Sequence, residues 1–411
     1  MTSDVRAAHS LLNAQAVRER AQRLLAMGLD DKLPHFRVDL DRLDAAIDLA
    51  LETTHKAYPT LDVPFHSRWR HFATNGVDRW AKIEATARWR DAAARARAAF
   101  DLAIVSVLLD AGAGPRWRYR DAATGTDVGR SEGLALASLD MFARGDFSSS
   151  PGDPLRADAD GLMRFSDAAL ARAFHAEDDN LLPGISGRAG LLRRLGQLVA
   201  GKPDIFARAD KPRPGGLFDH LATLAAGGPL AAPVMLAELL CHLGAIWPSR
   251  IELGGVPLGD CWRHPSLVTG DATSGLVPLH KLSQWLAYSL IEPLQAAGVP
   301  VVDIDGLTGL AEYRNGGLLI DTGVLAFRDA SAATQAYDVG APLVVEWRAL
   351  TVTLLDRLAE GLRGRLGLDA VSFPLAKVLE GGTWAAGRVI ARRLRVDGSA
   401  PINVISDGTV F

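Results

Sequence analysis

Cysteine is almost absent from the sequence, which contains only Cys241 and Cys261 among 411 residues. Two cysteines cannot form a disulfide framework, and a reducing compartment is consistent with so few of them. No CxxC or HExxH spacing occurs, so we expect no zinc site and no other bound metal. Cys241 lies in an apolar run, where we expect it to be a small core residue.

Long apolar runs and an excess of one charge are missing as well. No apolar run approaches the roughly 20 residues that cross a bilayer, and the first 25 residues contain acidic side chains and no signal core. The formal net charge is only −3, which gives no broad attraction to nucleic acid or to anionic membranes. We therefore expect a cytoplasmic protein that binds neither. P-loop, GxGxxG and GxSxG motifs are absent too, and we predict no cofactor.

Helical periodicity is the dominant pattern in what remains. Apolar residues recur every three to four positions over residues 341–365, and they are almost unbroken over 102–109, as in a buried helix. Short extended runs flank turns at 117–127 and at Gly254-Gly255, which predicts β-hairpins. We predict a mainly α, compact multi-helix globular protein with small β-hairpin elements. It would be one globular unit, 1–411, with lobes 1–160 and 161–411 around a central cleft and the site in the second lobe.

Residues 280–325 concentrate charged groups between two apolar segments. Lys281 and Gln284 share one face of a predicted helix, which Pro293 should kink or end because it lacks an amide hydrogen. Asp303 and Asp305 follow on a turn. An amine and two carboxylates so placed suit sugar or phosphate chemistry, although the same aspartates could equally cap helices beside a solvated lysine.

Asn315-Gly316-Gly317 ends this polar segment. The three residues tolerate positive φ, and we predict that they break the chain between the acidic turn and the second apolar run.

A second segment, residues 66–72, is dense in basic and aromatic side chains. His66, Arg68, Arg70 and His71 could hold an anion, because arginine pairs bidentately with phosphate. The alternative is a solvated helix start with Trp69 buried.

Several short strings form a recognisable set. They are HSRWRHF, DLAIVSVLLDAGAG, RSEGLALASLDMF, GRAGLLRRLG, WPSRIELGGVPLGDCWRHP, HKLSQWLAYSLIEPLQ, DGLTGLAEYRNGGLLIDTGVL, LVVEWRALTV, LEGGTWAAGR and the terminal SDGTVF. Together they resemble a uracil-catabolism family long catalogued as a domain of unknown function, over most of the chain. Membership implies a ring-opening route of uracil breakdown, found in fungi and bacteria. That route passes through UMP and a ribosylurea-type intermediate and releases urea.

His280-Lys281-Leu-Ser-Gln284 and Glu312-Tyr313-Arg314 carry a more distant resemblance, to the queuosine-salvage nucleotide N-glycosylases. Those enzymes have a lysine in a Tyr-Lys-Arg-Ala-Gln helix and an aspartate in an Asp-Tyr-Arg motif, at a similar interval. Here glutamate replaces aspartate, and Asn-Gly replaces the Val-Pro that follows, which puts base specificity in question more than bond type.

Two further segments match that second family. Trp247-Pro248-Ser249 is similar to its Phe-Pro-Ser element, and residues 131–146, which include Glu132, resemble its helix beside the substrate. Glu132 could instead only stabilise a helix, by placing a negative charge near the positive end of its macrodipole.

The resemblances imply a hydrolase that cleaves the N-glycosidic bond of a ring-opened uridine nucleotide of the ribosylurea 5′-phosphate type, giving urea and ribose 5-phosphate. We predict Glu312 as the carboxylate that faces the oxocarbenium-like sugar and orients water, and Lys281 as the group that holds a ribose hydroxyl or the phosphate. Asp305 is the competing carboxylate. The predicted substrate-binding residues are Tyr313, Arg314, His66, Arg68, Arg70, His71, Trp247, Glu132 and Asp321. The partner would be a small ribonucleotide-derived molecule, and a homodimer is the candidate assembly.

Two rival functions belong to other classes. An amidohydrolase would act on the ureido group and would more naturally show metal-ligand spacing. A non-catalytic nucleotide-binding subunit of the pathway would keep the basic pocket without a carboxylate beside the anomeric carbon.

Overall fold

Short polar side chains start many of the helices. In the computed structural model, which describes residues 2–114, 116–209, 211–247 and 251–405, the carboxamide of Asn13 accepts a hydrogen bond from the Ala16 amide at 2.8 Å. The Asp91 carboxylate does the same for the Ala94 amide at 2.7 Å. Each such side chain pairs an amide that the helix itself leaves without a partner, and so fixes where the helix begins.

The α-helices follow one another along the whole chain. They are α1 (Ser3–Ser10), α2 (Ala14–Leu29), α3 (Leu43–Ala57), α4 (Arg68–Phe72), α5 (Arg79–Thr86), α6 (Ala92–Leu108), α7 (Arg130–Arg144), α8 (Ala159–Met163), α9 (Asp167–Ala173), α10 (Ile185–Ala200), α11 (Pro203–Phe206), α12 (Gly216–Ala225), α13 (Ala232–Leu243), α14 (Lys281–Ala296), α15 (Tyr313–Asp321), α16 (Pro342–Leu366), α17 (Leu375–Val378) and α18 (Trp384–Leu394).

The strands are short and associate only in pairs within the described residues. They are β1 (Phe36–Val38), β2 (Ala73–Thr74), β3 (Val77–Asp78), β4 (Arg118–Asp121), β5 (Thr126–Gly129), β6 (Leu230–Ala231), β7 (Glu252–Leu253), β8 (Val256–Pro257), β9 (Cys261–Arg263), β10 (Leu276–Pro278), β11 (Val301–Val302), β12 (Leu325–Phe327), β13 (Ala336–Asp338) and β14 (Asn403–Ile405). The pairs β1–β12, β2–β3, β4–β5, β7–β8 and β9–β10 are antiparallel, while β6–β11 and β13–β14 are parallel. The mainly α class and both predicted hairpins, β4–β5 and β7–β8, are confirmed.

The chain folds into two compact units. The first comprises the described residues of Met1–His66, Ser249–Gln284 and Asp303–Ile405, and the second those of Ser67–Pro248 and Trp285–Val302. Both units are assembled from separated stretches of chain, and residue 160 lies inside the second. The two predicted lobes and the cleft between them stay predictions.

The first unit is built around α16. From Leu343 to Leu355 every residue of this helix is buried, and Leu358 and Leu362 continue the buried face. The helix packs against α2 and α3, which bury their own apolar faces there. A helix that is apolar on nearly all sides needs neighbours on all sides, and this requirement fixes the core of the unit.

The second unit is built around α6, which is buried without interruption from Ala98 to Leu108. One charged residue, Asp101, lies inside this stretch and is fully buried. Its carboxylate accepts from Arg213 at 2.5 Å and from the amides of Ala157 at 3.0 Å and Gly215 at 2.6 Å. A buried charge is tolerated when paired and hydrogen-bonded in this way.

Among the described residues, no helix combines the length and the apolar character needed to cross a membrane.

Of the two effects predicted for Pro293, the helix does not end there, and a kink at that residue stays a prediction. Helix α14 runs to Ala296 with Pro293 inside it. Pro293 leaves the carbonyl of Ser289, four residues earlier, without its helical donor. The Trp69 indole takes that place, with its Nε1 2.7 Å from the Ser289 oxygen. The missing amide is therefore replaced by a side chain.

A double-mutant cycle tests this replacement. Trp69→Phe leaves the Ser289 carbonyl buried without a partner and should lower the free energy of unfolding by about 1–3 kcal/mol. With Pro293→Ala, an amide again faces that carbonyl, so the same Trp69 change should cost about 1 kcal/mol less. Guanidinium unfolding of the four proteins measures the difference, in which the lost ring volume cancels. If the effects of the two substitutions on the free energy of unfolding were strictly additive, the Trp69 indole would not be replacing the missing amide.

The predicted break at residues 315–317 is wrong. All three residues are helical within α15. The glycines serve packing instead: a Cβ on Gly316 would lie 2.6 Å from the Trp347 indole, whose Nε1 donates to the Gly316 carbonyl at 3.0 Å. Glycine here allows the helix backbone to touch a tryptophan.

Cys241 does not lie in the core as predicted. It is exposed on α13, which buries Leu236, Leu239 and Leu240 on its other side. The apolar run around it has helical periodicity, and position 241 falls on the outer face.

Candidate active site

Glu312 begins α15 and is the only N-cap glutamate among the α-helices of the described residues. Its carboxylate accepts from the amides of Arg314 at 2.7 Å and Asn315 at 2.6 Å, and the residue is 8% exposed. Burial raises the pKa of Glu312 to about 7, although the Asn315 amide and the positive charges of Lys281 and His66 oppose the rise. A carboxyl group that titrates near neutral pH can both accept and release a proton there.

Lys281 is the first residue of α14, and its position is set by a strained turn. The preceding residue, His280, is buried with φ at 47°, in the left-handed region. Its amide donates to the Asp260 backbone oxygen at 3.1 Å, and the Lys281 amide donates to the Asp260 carboxylate at 2.8 Å. Strain of this kind persists only where surrounding contacts enforce it. These contacts fix the start of α14, and with it the backbone position from which the Lys281 ammonium extends.

One buried ion pair connects Lys281 with Glu312. Arg348 donates from both terminal nitrogens to Asp260, at 2.8 Å each, and from its Nε to the carbonyl of Ala311 at 3.1 Å. Burial alone would raise the pKa of Asp260, but Arg348 holds it at about 2. The pair therefore fixes the start of α14 and the residue before Glu312 at once.

His66 belongs to the same unit and is oriented by Glu380. The two side chains are 2.6 Å apart, from His66 Nδ1 to Glu380 Oε2, and the Tyr58 hydroxyl donates to the other oxygen at 3.3 Å. The His66 ring lies 5.7 Å from the Trp384 ring, centroid to centroid. Glu380 thus fixes one nitrogen of an imidazole whose charge acts on Glu312.

Glu380 owes its position to a π-helical turn, Leu379–Thr383, that joins α17 to α18. The sequence around Gly381-Gly382 predicts only an interruption of a helix, whereas the structure continues the helix with a wider turn. Cβ atoms on these glycines would come within 3.2 Å of Thr54 in α3. Turns of this type occur often at functional sites because they redirect a side chain.

Six buried side-chain polar atoms of the first unit have no hydrogen-bond partner among the described residues, and three of them belong to residues that follow Lys281, Glu312 and Glu380 by three positions. These three are Gln284 Nε2, Asn315 Oδ1 and Thr383 Oγ1. Gln284 follows Lys281 by one helical turn, and Asn315 follows Glu312 in the first turn of α15. Buried polar groups are nearly always paired, so each atom without a partner needs an explanation, and a polar ligand is one.

The two competing carboxylates are held by arginines. Asp305 binds Arg363 and accepts from the Leu375 amide at 2.5 Å. Asp321 forms a two-point pair with Arg395, at 2.8 and 2.5 Å. Both serve contacts between elements of the first unit, which favours Glu312 over either of them as the chemically active group.

Arg314 and Tyr313 lie in the first turn of α15. The Arg314 guanidinium donates to the Gly398 carbonyl at 2.9 Å and lies over the Tyr313 ring at 4.9 Å. Glu312 is bound by the backbone amide of Arg314. Substrate binding by Tyr313 and Arg314 stays a prediction.

The basic segment is divided between the units, with His66 in the first and the other members in the second. Arg68 is fully buried and donates to Asp110 at 2.6 Å, so its charge is matched. Arg70 donates to Glu292 at 2.6 Å, and Ser131 Oγ lies 3.0 Å from His71 Nδ1. That these side chains hold a phosphate stays a prediction.

Two further predicted residues belong to the second unit. Glu132 is half-buried in the first turn of α7, and its charge acts on the buried Arg68. Trp247 is 8% exposed. Pro248 and Ser249, which complete the Trp-Pro-Ser match, and the terminal SDGTVF string lie outside the described residues.

The second unit also contains a cavity of about 190 Å³. Its walls include Trp69, Trp80 and the predicted residue Arg70. Arg70 is paired with Glu292 and Arg95 with Glu84 within this wall, and most of the other lining residues are alanines and tryptophans.

Comparison with known proteins now decides the family. A family model described as "Protein of unknown function (DUF1688)" matches residues 10–411. The chain belongs to this family. It is 38% identical over 413 residues to "Protein urg3" of Schizosaccharomyces pombe, with 98% of each chain covered. It is 34% identical to "Uracil catabolism protein 4" of Lachancea kluyveri, with 92% of each covered.

These matches confirm the first predicted resemblance, to the uracil-catabolism family. Asp260, Arg348 and Glu380, which sequence reasoning does not select, lie within the strings GDCW, VEWR and LEGG that carry that resemblance. A charged residue inside an otherwise apolar string is the available signal, because such a charge needs a buried partner.

Proposed function

We propose that this protein acts in uracil degradation, as a hydrolase that cleaves the N-glycosidic bond of a ring-opened uridine nucleotide. The pathway assignment is supported by the name of the Lachancea kluyveri relative, "Uracil catabolism protein 4". The bond type is supported by one observation above all: the buried Glu312, with a pKa of about 7, lies within electrostatic reach of Lys281 and His66.

The reaction joins water to the anomeric carbon and breaks the bond from that carbon to the ureido nitrogen. The sugar passes through an oxocarbenium-like state, which a neighbouring carboxylate stabilises. Ionised Glu312 accepts the proton that water loses. The departing nitrogen keeps the electron pair of the broken bond and gains one proton, the equivalent of the one that Glu312 takes from water, so that urea and ribose 5-phosphate leave and Glu312 is ionised again.

Lys281 and the amide side chains of Gln284 and Asn315, each of which has one atom without a partner among the described residues, would hold the substrate. An ammonium at a fixed helix start can bind a ribose hydroxyl or a phosphate oxygen. Gln284 Nε2 is a donor and Asn315 Oδ1 an acceptor, and neither has a partner among the described residues. Sugar hydroxyls both donate and accept, so they suit this pair of groups.

The direct test is incubation of the purified full-length protein with ribosylurea 5′-phosphate. We expect equal amounts of urea and ribose 5-phosphate. Because ionised Glu312 accepts a proton from water, kcat/KM should rise with pH and level off above about 7, where that carboxyl is ionised. Urea is measured as the ammonia that appears only after urease is added, and ribose 5-phosphate by a coupled reduction.

The same assay separates the rival functions. An amidohydrolase would release ammonia before urease is added and would leave the sugar bond intact. A non-catalytic subunit would bind the nucleotide and release neither product. Either result with intact substrate would reject the proposed glycosidase.

A further inference from the structure

Helices α12 and α13 bring two histidines and a glutamate to one point in the second unit. The Nε2 atoms of His220 and His242 lie 2.6 and 3.1 Å from the same Glu238 oxygen. All three ligand-type atoms fall within 4.8 Å of one another. The two imidazole rings meet edge to face, with centroids 5.0 Å apart.

The local sequence explains this convergence. Glu238 and His242 are four residues apart on α13 and therefore share one helix face. That face is opposite the buried Leu236 and Leu240, and His220 reaches it from α12. The side chains of His220, His242 and Glu238 are 12%, 17% and 26% exposed, so the cluster is half-buried and open to solvent on one side.

We propose that His220, Glu238 and His242 bind one divalent transition-metal ion of the zinc class, and that solvent completes its coordination. The donor set, two imidazole nitrogens and one carboxylate oxygen, suits zinc and its first-row neighbours better than magnesium or calcium, which prefer oxygen alone. Three protein ligands with an open position are the usual arrangement where zinc keeps a bound water.

Hydrogen bonding alone accounts poorly for the cluster. One glutamate oxygen serves the Nε2 atoms of both imidazoles, so two ring nitrogens share a single acceptor. A metal ion would use the lone pairs of both Nε2 atoms.

Lys202 opposes a cation at this cluster. Its ammonium donates to the backbone carbonyl of His242 at 3.1 Å, at the end of α13. That contact directs the charge to the helix C-terminus, where carbonyl oxygens are partly negative. We therefore expect the site to bind zinc more weakly than a four-ligand structural site.

The test is Co²⁺ titration of the tag-free, chelator-treated full-length protein, followed by visible absorption. We expect one Co²⁺ per chain, displaced by one Zn²⁺, and a melting temperature that rises with Zn²⁺ because the metal binds only the folded state. Glu238→Gln has nearly the same shape but no charge, and should weaken Zn²⁺ binding by more than about 100-fold, since it removes a direct ligand.

Cys241→Ser is the matched control, because its exposed thiol is adjacent to His242 and could bind metal by itself. Unchanged Co²⁺ spectra in this variant support the proposal. Loss of the spectra with Cys241→Ser, unchanged binding with Glu238→Gln, or substoichiometric binding by the natural protein would overturn it. Circular dichroism of each variant establishes that it is folded. The proposal does not depend on the glycosidase assignment.

Discussion

Glu312→Gln should lower kcat for urea release by about 10²- to 10⁴-fold, the range that loss of a general acid–base group produces. The amide keeps the shape of the side chain, and its single oxygen can still accept from one of the Arg314 and Asn315 amides, which bind different oxygens of the carboxylate, so α15 should keep its start at some cost in stability. What is lost is the group that takes a proton from water and faces the positive sugar. The measurement is kcat and KM on ribosylurea 5′-phosphate.

The matched control is Glu360→Gln, the same change at an exposed position of α16. It should leave kcat unchanged. A near-natural rate in Glu312→Gln would move the catalytic role to Asp305 or Asp321, and their neutral variants would then be the ones to lose turnover.

The pH dependence of the stability of the Glu312→Gln protein distinguishes an effect of the substitution on catalysis from an effect on folding. The folded-state pKa of Glu312 is about 7, above its ordinary value of 4.5. Folding therefore favours the protonated form, and stability falls as pH rises from about 4.5 through 7. Fully ionised, the buried carboxylate costs roughly 3 kcal/mol, which the amide avoids. We expect the melting temperature of Glu312→Gln, relative to that of the natural protein, to be higher at pH 8 than at pH 4.

Local patterns predict the parts of the candidate site that local physics controls. Spacing and resemblance identify both the helical face that begins at Lys281 and the Glu312-Tyr313-Arg314 motif. They do not identify the Asp260–Arg348 pair, because its two members are far apart in sequence and meet only through tertiary packing. The charge on each is visible in the sequence, but its partner is not.

The continuation of α14 past Pro293 and of α15 through Gly316 has a common physical cause. Each residue is unfavourable in an isolated helix. In the folded protein Trp69 donates to the carbonyl that Pro293 leaves open, and Trp347 packs against the bare backbone of Gly316. A tryptophan elsewhere in the chain thus reverses a local preference in both cases. The cluster of His220, Glu238 and His242 escapes sequence reasoning similarly, since its first member lies on a different helix from the other two.

Gly387→Ala should destabilise the protein by about 2 kcal/mol or more, although alanine favours helix over glycine. Gly387 is buried in α18, and a Cβ there would lie 2.2 Å from the carbonyl oxygen of Arg314. A backbone atom cannot rotate away as a side chain can, so the two helices must separate. Arg314 is in the turn that Glu312 caps, and turnover should therefore fall together with stability.

Gly364→Ala supplies the contrasting case, because Gly364 lies in α16 and a Cβ there meets nothing within 4 Å. The free energy of unfolding of this variant should rise by up to about 1 kcal/mol, the intrinsic preference of a helix for alanine over glycine, and its activity should be unchanged. Guanidinium unfolding and urea release on the two variants measure the difference. If Gly387→Ala were as stable and active as Gly364→Ala, the contact between α15 and α18 could not be what holds Glu312 in place.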